Sequence, residues 1–289
     1  KGEQDTELTK QLNLFENNYK ESYCRTLTQP GEIRNKSFCS ISFPLKKNTH
    51  WMSKLNDKSF LSDISIPGTH DTCATYFHYY HLKTQSWSLW DQLLAGVRYF
   101  DIRLIQVKDS ILIFHGYGYL EISFGEVLNI FSKFLSEYPS ECLIMRAKRE
   151  RDPINPGKIN FEDLIKEYMQ AFEEFILLKE DIPKVKEGRR KVWIIEEGFS
   201  MNSFKWIETL LQDNFWLEKT EHNIQKIEDI KGYLKKAKTY EKTGYELDGK
   251  KRLFVNHFSG YGKEPNFIFK VALATNPVVL ENSEKQFMG

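Results

Sequence analysis

The sequence predicts an α/β fold in which short strands alternate with helices around a mainly parallel sheet, and three observations predict it. From about residue 60 onward, apolar runs of strand length alternate with amphipathic stretches of helix length, which is the pattern of βα units. The 289 residues suffice for one barrel-sized domain and a small appendage. About seven strands are predicted, one fewer than a closed (β/α) barrel needs. The predicted architecture is therefore a TIM-like barrel that lacks its last strand in this chain.

The N-terminal appendage is predicted to span residues 1–50, and the C-terminally incomplete barrel domain residues 51–289. Leu8, Leu12 and Phe15 have helical spacing in a polar stretch, so a short amphipathic helix is expected there. Residues 23–50 carry prolines and glycine around two cysteines and are predicted to be irregular.

The predicted elements of the barrel domain follow in order along the chain. The strands are Phe60–Ile66, Val97–Ile105, Ile111–Phe114, Cys142–Arg146, Lys191–Ile195 and Leu253–Asn256, with a weaker strand near Asn214–Leu217. The helices are Phe124–Tyr138, Phe161–Leu178, Ser203–Gln212 and Ile224–Lys238. The first of these has one apolar face and is stopped by Pro139.

Composition excludes several classes of function. The net charge of +1 offers no basic excess for nucleic acid. No run of about 18 apolar residues occurs, so no membrane-spanning helix is expected. The four cysteines fit neither a zinc motif nor a dense disulfide framework. Cys73 and Cys142 are expected at opposite ends of their strands and therefore unpaired.

The strongest chemical signal is the run Ser65-Ile66-Pro67-Gly68-Thr69-His70-Asp71-Thr72, where an apolar stretch ends by presenting a histidine beside an aspartate. Residues at the carboxyl ends of parallel strands face the active-site mouth of β/α folds. Taken alone, such a pair is most often a turn that caps the next element.

Two further strands end in residues that suit the same site. Arg103 lies near the end of the second strand, on the same face as Asp101. His115 ends the third strand after a short, hairpin-like connection. His70, Asp71, Arg103 and His115 are therefore expected to converge on one side of the barrel, as an acid, a base and an anion clamp.

These motifs resemble the X domain of the phosphatidylinositol-specific phospholipases C, and most closely the bacterial, metal-independent type. The resemblance rests on Pro-Gly-Thr-His-Asp at 67–71, Gly-Val-Arg-Tyr-Phe-Asp-Ile-Arg at 96–103, His-Gly at 115–116 and the stretch 134–145. It is dense over residues 50–150, weaker over 185–285 and absent before 50.

The resemblance implies cleavage of phosphatidylinositol in two steps. The inositol 2-hydroxyl attacks phosphorus and expels diacylglycerol, leaving a cyclic phosphate that water can open. His70 matches the base, and His115, supported by Asp71, matches the acid that protonates the glycerol oxygen. Arg103 would hold the phosphoryl oxygens where calcium sits in metal-dependent relatives, so no cofactor or metal is expected.

The resemblance also implies residues that bind the headgroup. Lys148 matches a residue that contacts the inositol ring, and Glu197 falls where relatives contact the headgroup. Glu218 and Thr220 align with an aspartate and a stacking tyrosine that follow the sixth strand of relatives, so the stacking aromatic is expected to be lost. Free phosphatidylinositol and a glycosylated anchor both stay open as substrates.

The expected partner is a membrane surface carrying the lipid, contacted peripherally. Tyr79 and Tyr80 lie on the rim where the family carries an interfacial helix, and Tyr261 is a third candidate, because tyrosine suits the membrane–water boundary. A secreted or extracellular location is favoured, with the compartment left open.

Other interpretations compete with this one. A glycerophosphodiester phosphodiesterase or a venom-type phospholipase D would bind metal through Glu-x-Asp, but Asp101-Ile102-Arg103 stands there. A pseudoenzyme that binds inositol lipid or a protein is the alternative of another class. In the resembled family, an aspartate of the eighth strand orients the base histidine. No such strand follows Asn256, so a missing C-terminal segment or a second chain is expected to complete the barrel.

Overall fold

The computed structural model describes residues 48–75, 82–213, 223–243, 251–260 and 271–276. Internal contacts divide the chain into two units, Lys1–Ile207 and Glu208–Gly289, and each is described by itself. Only residues 48–50 of the predicted appendage fall within the described ranges. The domain boundary at residue 50 therefore stays a prediction.

A mixed sheet forms the centre of the first unit. Its strands are β1 (Gly68–Thr69), β2 (Tyr99–Lys108), β3 (Ser110–His115), β4 (Gly118–Ser123), β5 (Leu143–Arg149), β6 (Ile154–Pro156), β7 (Ile176–Leu177), β8 (Val192–Glu197) and β9 (Phe204–Lys205). They are hydrogen-bonded in the order β4-β3-β2-β5-β8-β7, with β1 and β6 paired to β2 and β9 to β8. The strands β1, β2, β5, β8 and β9 are parallel, so their carboxyl ends lie at one edge of the sheet.

The helices of this unit are α1 (Leu89–Ala95), α2 (Phe124–Glu137), α3 (Phe161–Ala171) and α4 (Val185–Gly188). The prediction for α2 is confirmed to within one residue. Ser123 accepts a hydrogen bond from the backbone of Glu126, whose carboxylate accepts one in return, so a capping box starts the helix. Its Phe131 packs against Phe100 of β2, with ring centres 4.9 Å apart, which fixes the helix on one face of the sheet.

Strand β2 separates the hydrophobic core from the polar interior by simple alternation. Phe100, Ile102 and Leu104 are completely buried in the core cluster beneath α2. Asp101 and Arg103 point to the opposite face, as the period of two requires. Asp101 and Arg103 therefore lie on the side of the sheet away from α2.

Strand β3 is antiparallel to β2, in agreement with the hairpin-like connection expected before His115, and β4, which was not predicted, is antiparallel to β3. Only Asp109 separates β2 from β3, whereas a parallel crossover needs a dozen or more residues. Strand β3 therefore runs back along β2, with Ile113 opposite Leu104. His115 ends β3, as expected, and consequently lies beside the middle of β2, near Arg103.

The predicted strand Phe60–Ile66 is wrong. Residues Leu61–Asp63 form a 3-10 turn in which the Asp63 carboxylate accepts a hydrogen bond from the Phe60 backbone at 3.0 Å. Leu61 is completely buried, so this apolar residue packs into the core although it belongs to a turn and not to a strand. The first strand of the sheet is the later, shorter β1.

The predicted helix Ser203–Gln212 is also wrong, and the predicted end of the helix at Leu178 is too late. Phe204 pairs with Ile195 of β8 and packs against Trp193, with ring centres 5.3 Å apart. Helix α3 ends at Ala171 because the following residues turn back to pair with β8 as β7. In both places pairing with β8 outweighs helical periodicity.

The second unit contains β10 (Leu210–Gln212), α5 (Asn223–Thr243) and β11 (Phe254–Asn256), and residues 271–276 are helical. Strands β10 and β11 are parallel neighbours. The weak strand predicted near Asn214–Leu217 lies outside the described residues, and β10 ends directly before it. The predicted absence of an eighth strand concerns residues after 276, which also lie outside the described ranges.

Candidate active site

The turn after β1 holds His70 and Asp71 against β2. Gly68 lies so close to Tyr99 that a Cβ atom at this position would be 2.9 Å from the tyrosine Cβ, so only glycine fits. Asp71 has a positive φ of 47°, and its backbone N–H donates to the Asp101 carboxylate at 3.0 Å. The hydroxyl of Thr72 accepts from the Asp101 backbone at 2.8 Å. The turn is thereby fixed to the strand that carries Arg103.

His115 reaches the same place through the β2–β3 hairpin. Its Nε2 lies 3.2 Å from Oδ2 of Asp71, and its Nδ1 lies 2.8 Å from the backbone carbonyl of Leu82. Both partners accept hydrogen bonds, so the ring can donate from either nitrogen. A proton on Nε2 would face Asp71 and the site, as the proton of a general acid must.

His70 has a different set of neighbours. Its Nε2 lies 3.2 Å from the same Oδ2 of Asp71 and 3.4 Å from a guanidinium nitrogen of Arg103. Its Nδ1 lies 3.4 Å from Oδ2 of Asp101. Because Nε2 lies between a group that accepts and a group that donates, it can either hold or take up a proton. This suits a general base.

Arg103 joins the cluster together. Its Nε contacts Oδ1 of Asp71 at 2.5 Å and Oδ2 of Asp101 at 3.3 Å, and another nitrogen contacts Glu150 at 3.2 Å. Burial alone would lower the pKa of Arg103, but the surrounding carboxylates raise it above its ordinary value. The guanidinium therefore stays charged beside His70. The structure thus brings His70, Asp71, Arg103 and His115 into one cluster.

Asp101 has more contacts than the sequence indicated. It is almost completely buried and lies between Arg103 and Arg146, with the latter 3.2 Å from Oδ1. Burial alone would raise the pKa of Asp101, but the two guanidinium groups together with His70 lower it below its ordinary range. Asp101 therefore supplies His70 with a charged carboxylate, which the sequence led us to expect only from an eighth strand.

The two predicted headgroup residues lie in one row with Arg103. Arg103 of β2 is in register with Lys148 of β5, and Lys148 with Glu197 of β8. The Lys148 ammonium lies 3.0 Å from Glu150. Glu197 lies 2.6 Å from Arg146, so its carboxylate is already paired.

Sequence reasoning missed Arg146, Glu150 and Trp206. Arg146 and Glu150 stand two residues before and after Lys148, and the period of two could have placed them on the same face. The Arg146 guanidinium carbon lies 3.9 Å from the centre of the Trp206 ring, a cation–π contact. No periodic signal in the sequence points to Trp206.

Comparison with known proteins decides the family. Residues 61–197 match the family model "Phosphatidylinositol-specific phospholipase C, X domain". The 1-phosphatidylinositol phosphodiesterase of Listeria monocytogenes is 33% identical over 232 residues, which is 75% of this chain and 70% of that protein. The chain belongs to the phosphatidylinositol-specific phospholipase C X-domain family.

Solved structures agree with this assignment. The phosphatidylinositol-specific phospholipase C of Listeria monocytogenes has a TM-score of 0.66 at 28% identity, over 83% of this chain and 87% of that one. A Staphylococcus aureus structure, described as concerning modulation of phospholipase C membrane binding, has a TM-score of 0.68 at 25% identity, over 83% and 88%. The predicted fold class, the TIM-like barrel of this phospholipase C family, is confirmed by these likenesses. Among the described residues, the strands form an open path and not a closed ring.

A cation could find ligands at the centre of this phospholipase C site, because one atom each of His70, Asp71 and Asp101 lie within 4.8 Å of one another. Both carboxylates, however, already contact guanidinium nitrogens. Arg103 therefore stands where a metal would neutralise charge, and the residues fit a divalent ion poorly.

Several predicted residues of the phospholipase C site cannot be located. Tyr79, Tyr80, Tyr261, Glu218 and Thr220 all lie outside the described residues. The expected loss of the stacking aromatic concerns Glu218 and Thr220 and therefore stays a prediction.

Proposed function

We propose that this chain is a phosphatidylinositol-specific phospholipase C, a phosphodiesterase that cleaves phosphatidylinositol, or its glycosylated anchor form, to diacylglycerol and an inositol cyclic phosphate. The names of its relatives, 1-phosphatidylinositol phosphodiesterases, support this activity. The observation that carries the mechanism is the convergence of two histidine Nε2 atoms on one oxygen of Asp71, each at 3.2 Å, beside a buried guanidinium.

In the first step, His70 removes the proton of the inositol 2-hydroxyl as this oxygen attacks phosphorus. His115 gives its proton to the glycerol oxygen as the bond between that oxygen and phosphorus breaks. Arg103 donates to the phosphoryl oxygens and stabilises the charge that develops on them. The roles of the histidines then reverse when water opens the cyclic phosphate.

The row of charges beside the cluster is proposed to bind the headgroup. Lys148 extends the row from Arg103 and is about a quarter exposed, so it can reach inositol hydroxyls. Glu197 would act with its partner Arg146, as a paired group rather than a free acceptor.

The enzyme is proposed to act peripherally at a membrane surface and to be secreted. Among the described residues, no helix is long and apolar enough to cross a bilayer. The tyrosines at 79, 80 and 261 remain proposed membrane contacts.

The test is release of inositol cyclic phosphate from phosphatidylinositol vesicles in excess EDTA. His70→Ala should abolish that release, while binding of the vesicles persists. Binding without any release by the unaltered chain would support the non-catalytic alternative, a pseudoenzyme that binds inositol lipid.

A further inference from the structure

An exposed aromatic ring and a cation lie together on the rim beside His115. Tyr117 follows His115 by two residues, in the turn between β3 and β4, and is 55% exposed. Arg151 follows the end of β5, and its guanidinium carbon lies 4.5 Å from the centre of the Tyr117 ring. The pair therefore forms a small amphipathic surface at the mouth of the site.

Arg151 has no carboxylate partner in the part of the chain that the structure describes, whereas Arg103 and Arg149 pair with Glu150 and Glu162. A guanidinium that stacks on an exposed ring and pairs with no described carboxylate is suited to bind an external anion such as a phosphate.

The position of this pair indicates where such a phosphate would lie. In the proposed function, on which this inference rests, His115 protonates the glycerol oxygen, so diacylglycerol leaves on the His115 side. Tyr117 lies just beyond that histidine, and tyrosine favours the boundary between lipid and water. The surface therefore faces the bilayer rather than the inositol ring.

We propose that Tyr117 and Arg151 form a contact surface for an anionic lipid bilayer. Arg151 binds the phosphates of lipids that surround the substrate, and Tyr117 inserts its ring at the level of the headgroups. The substrate's own headgroup is the other source of a phosphate, and the experiment distinguishes the two.

The first measurement is partition of the full chain onto vesicles of phosphatidylcholine alone or mixed with phosphatidylglycerol. Arg151→Gln should weaken partition onto the mixed vesicles about fivefold at low salt, as expected for one basic residue, and less at high salt. Tyr117→Ser should weaken partition onto both kinds of vesicle. Arg190→Gln is the matched control, because Arg190 is a partly exposed arginine that precedes β8 at the opposite edge of the sheet and pairs with Glu174.

The second measurement is hydrolysis of soluble inositol cyclic phosphate, which needs no membrane. Arg151→Gln and Tyr117→Ser should retain the rate of the unaltered chain. Unchanged partition of Arg151→Gln would overturn the proposal, as would a loss of soluble hydrolysis, which would assign Arg151 to the headgroup. If the unaltered chain hydrolysed neither phosphatidylinositol nor inositol cyclic phosphate, the proposed function would be refuted. The partition experiment would still decide on the contact surface, because partition needs no turnover.

Discussion

Replacing Arg103 by lysine keeps the positive charge but removes the planar guanidinium that contacts His70 and three carboxylates. In the structure, Arg103 contacts Asp71 at 2.5 Å, Asp101 at 3.3 Å and Glu150 at 3.2 Å, through several nitrogens in one plane. A lysine ammonium is a single nitrogen and cannot meet all three carboxylates and a phosphate together. The Arg103 side chain is only 13% exposed, so bulk water cannot easily replace the hydrogen bonds that the lysine variant would lose.

The expected loss follows from the donors that no longer meet the phosphate. Removal of one preorganised donor to a developing oxyanion costs roughly 100- to 1,000-fold in kcat. Arg103→Lys should therefore lower the rate about 100-fold or more. The measurement is the initial rate of inositol cyclic phosphate release from phosphatidylinositol in excess EDTA. Arg149→Lys is the control. Arg149 lies on the face of β5 opposite Lys148 and pairs with Glu162, so the rate of this variant should stay within about twofold of the unaltered chain.

A rate for Arg103→Lys within tenfold of the unaltered chain would refute the proposed clamp. Loss of activity in EDTA with recovery in calcium would refute it in another way, because a metal and not Arg103 would then neutralise the phosphate. Circular dichroism of the variant should match that of the unaltered chain, so that a folding defect is not mistaken for the chemical effect.

Four other perturbations have defined outcomes. His115→Ala should slow cleavage on the order of 100- to 10,000-fold. A substrate with a better leaving group should recover much of this loss, whereas it should not do so when the base His70 is removed. The lowered pKa of Asp101 contributes stability that is present above its ordinary value of 3.8 and is lost as pH falls through the folded value, so Asp101→Asn should flatten the fall of Tm in acid. Glu141→Gln leaves the completely buried guanidinium of Arg98 without its ion-pair partner, so the free energy of unfolding measured in urea should fall by about 3–5 kcal/mol. Cys73 and Cys142 are free, as predicted, and burial raises the pKa of each to about 12, so a thiol reagent should label them only in denaturant.

The sequence by itself determined the elements whose signals are local. Helix α2 was predicted to within one residue because its apolar period, its capping box and Pro139 all lie in one short stretch. The placement of His70 and Asp71 directly after a strand was also predicted, although that strand is β1 and not the predicted Phe60–Ile66. These features depend on neighbours a few residues away, which is the range that periodicity and turn chemistry encode.

The tertiary structure decided how those elements combine into a site. The pairing of β3 with β2 and the turn after β1 together bring His115 to Asp71. The carboxylate beside His70 comes from Asp101, which two arginines on neighbouring strands hold charged. Such pairings join residues about 30 to 45 positions apart, so they depend on strand register and packing, which no local pattern in the sequence specifies.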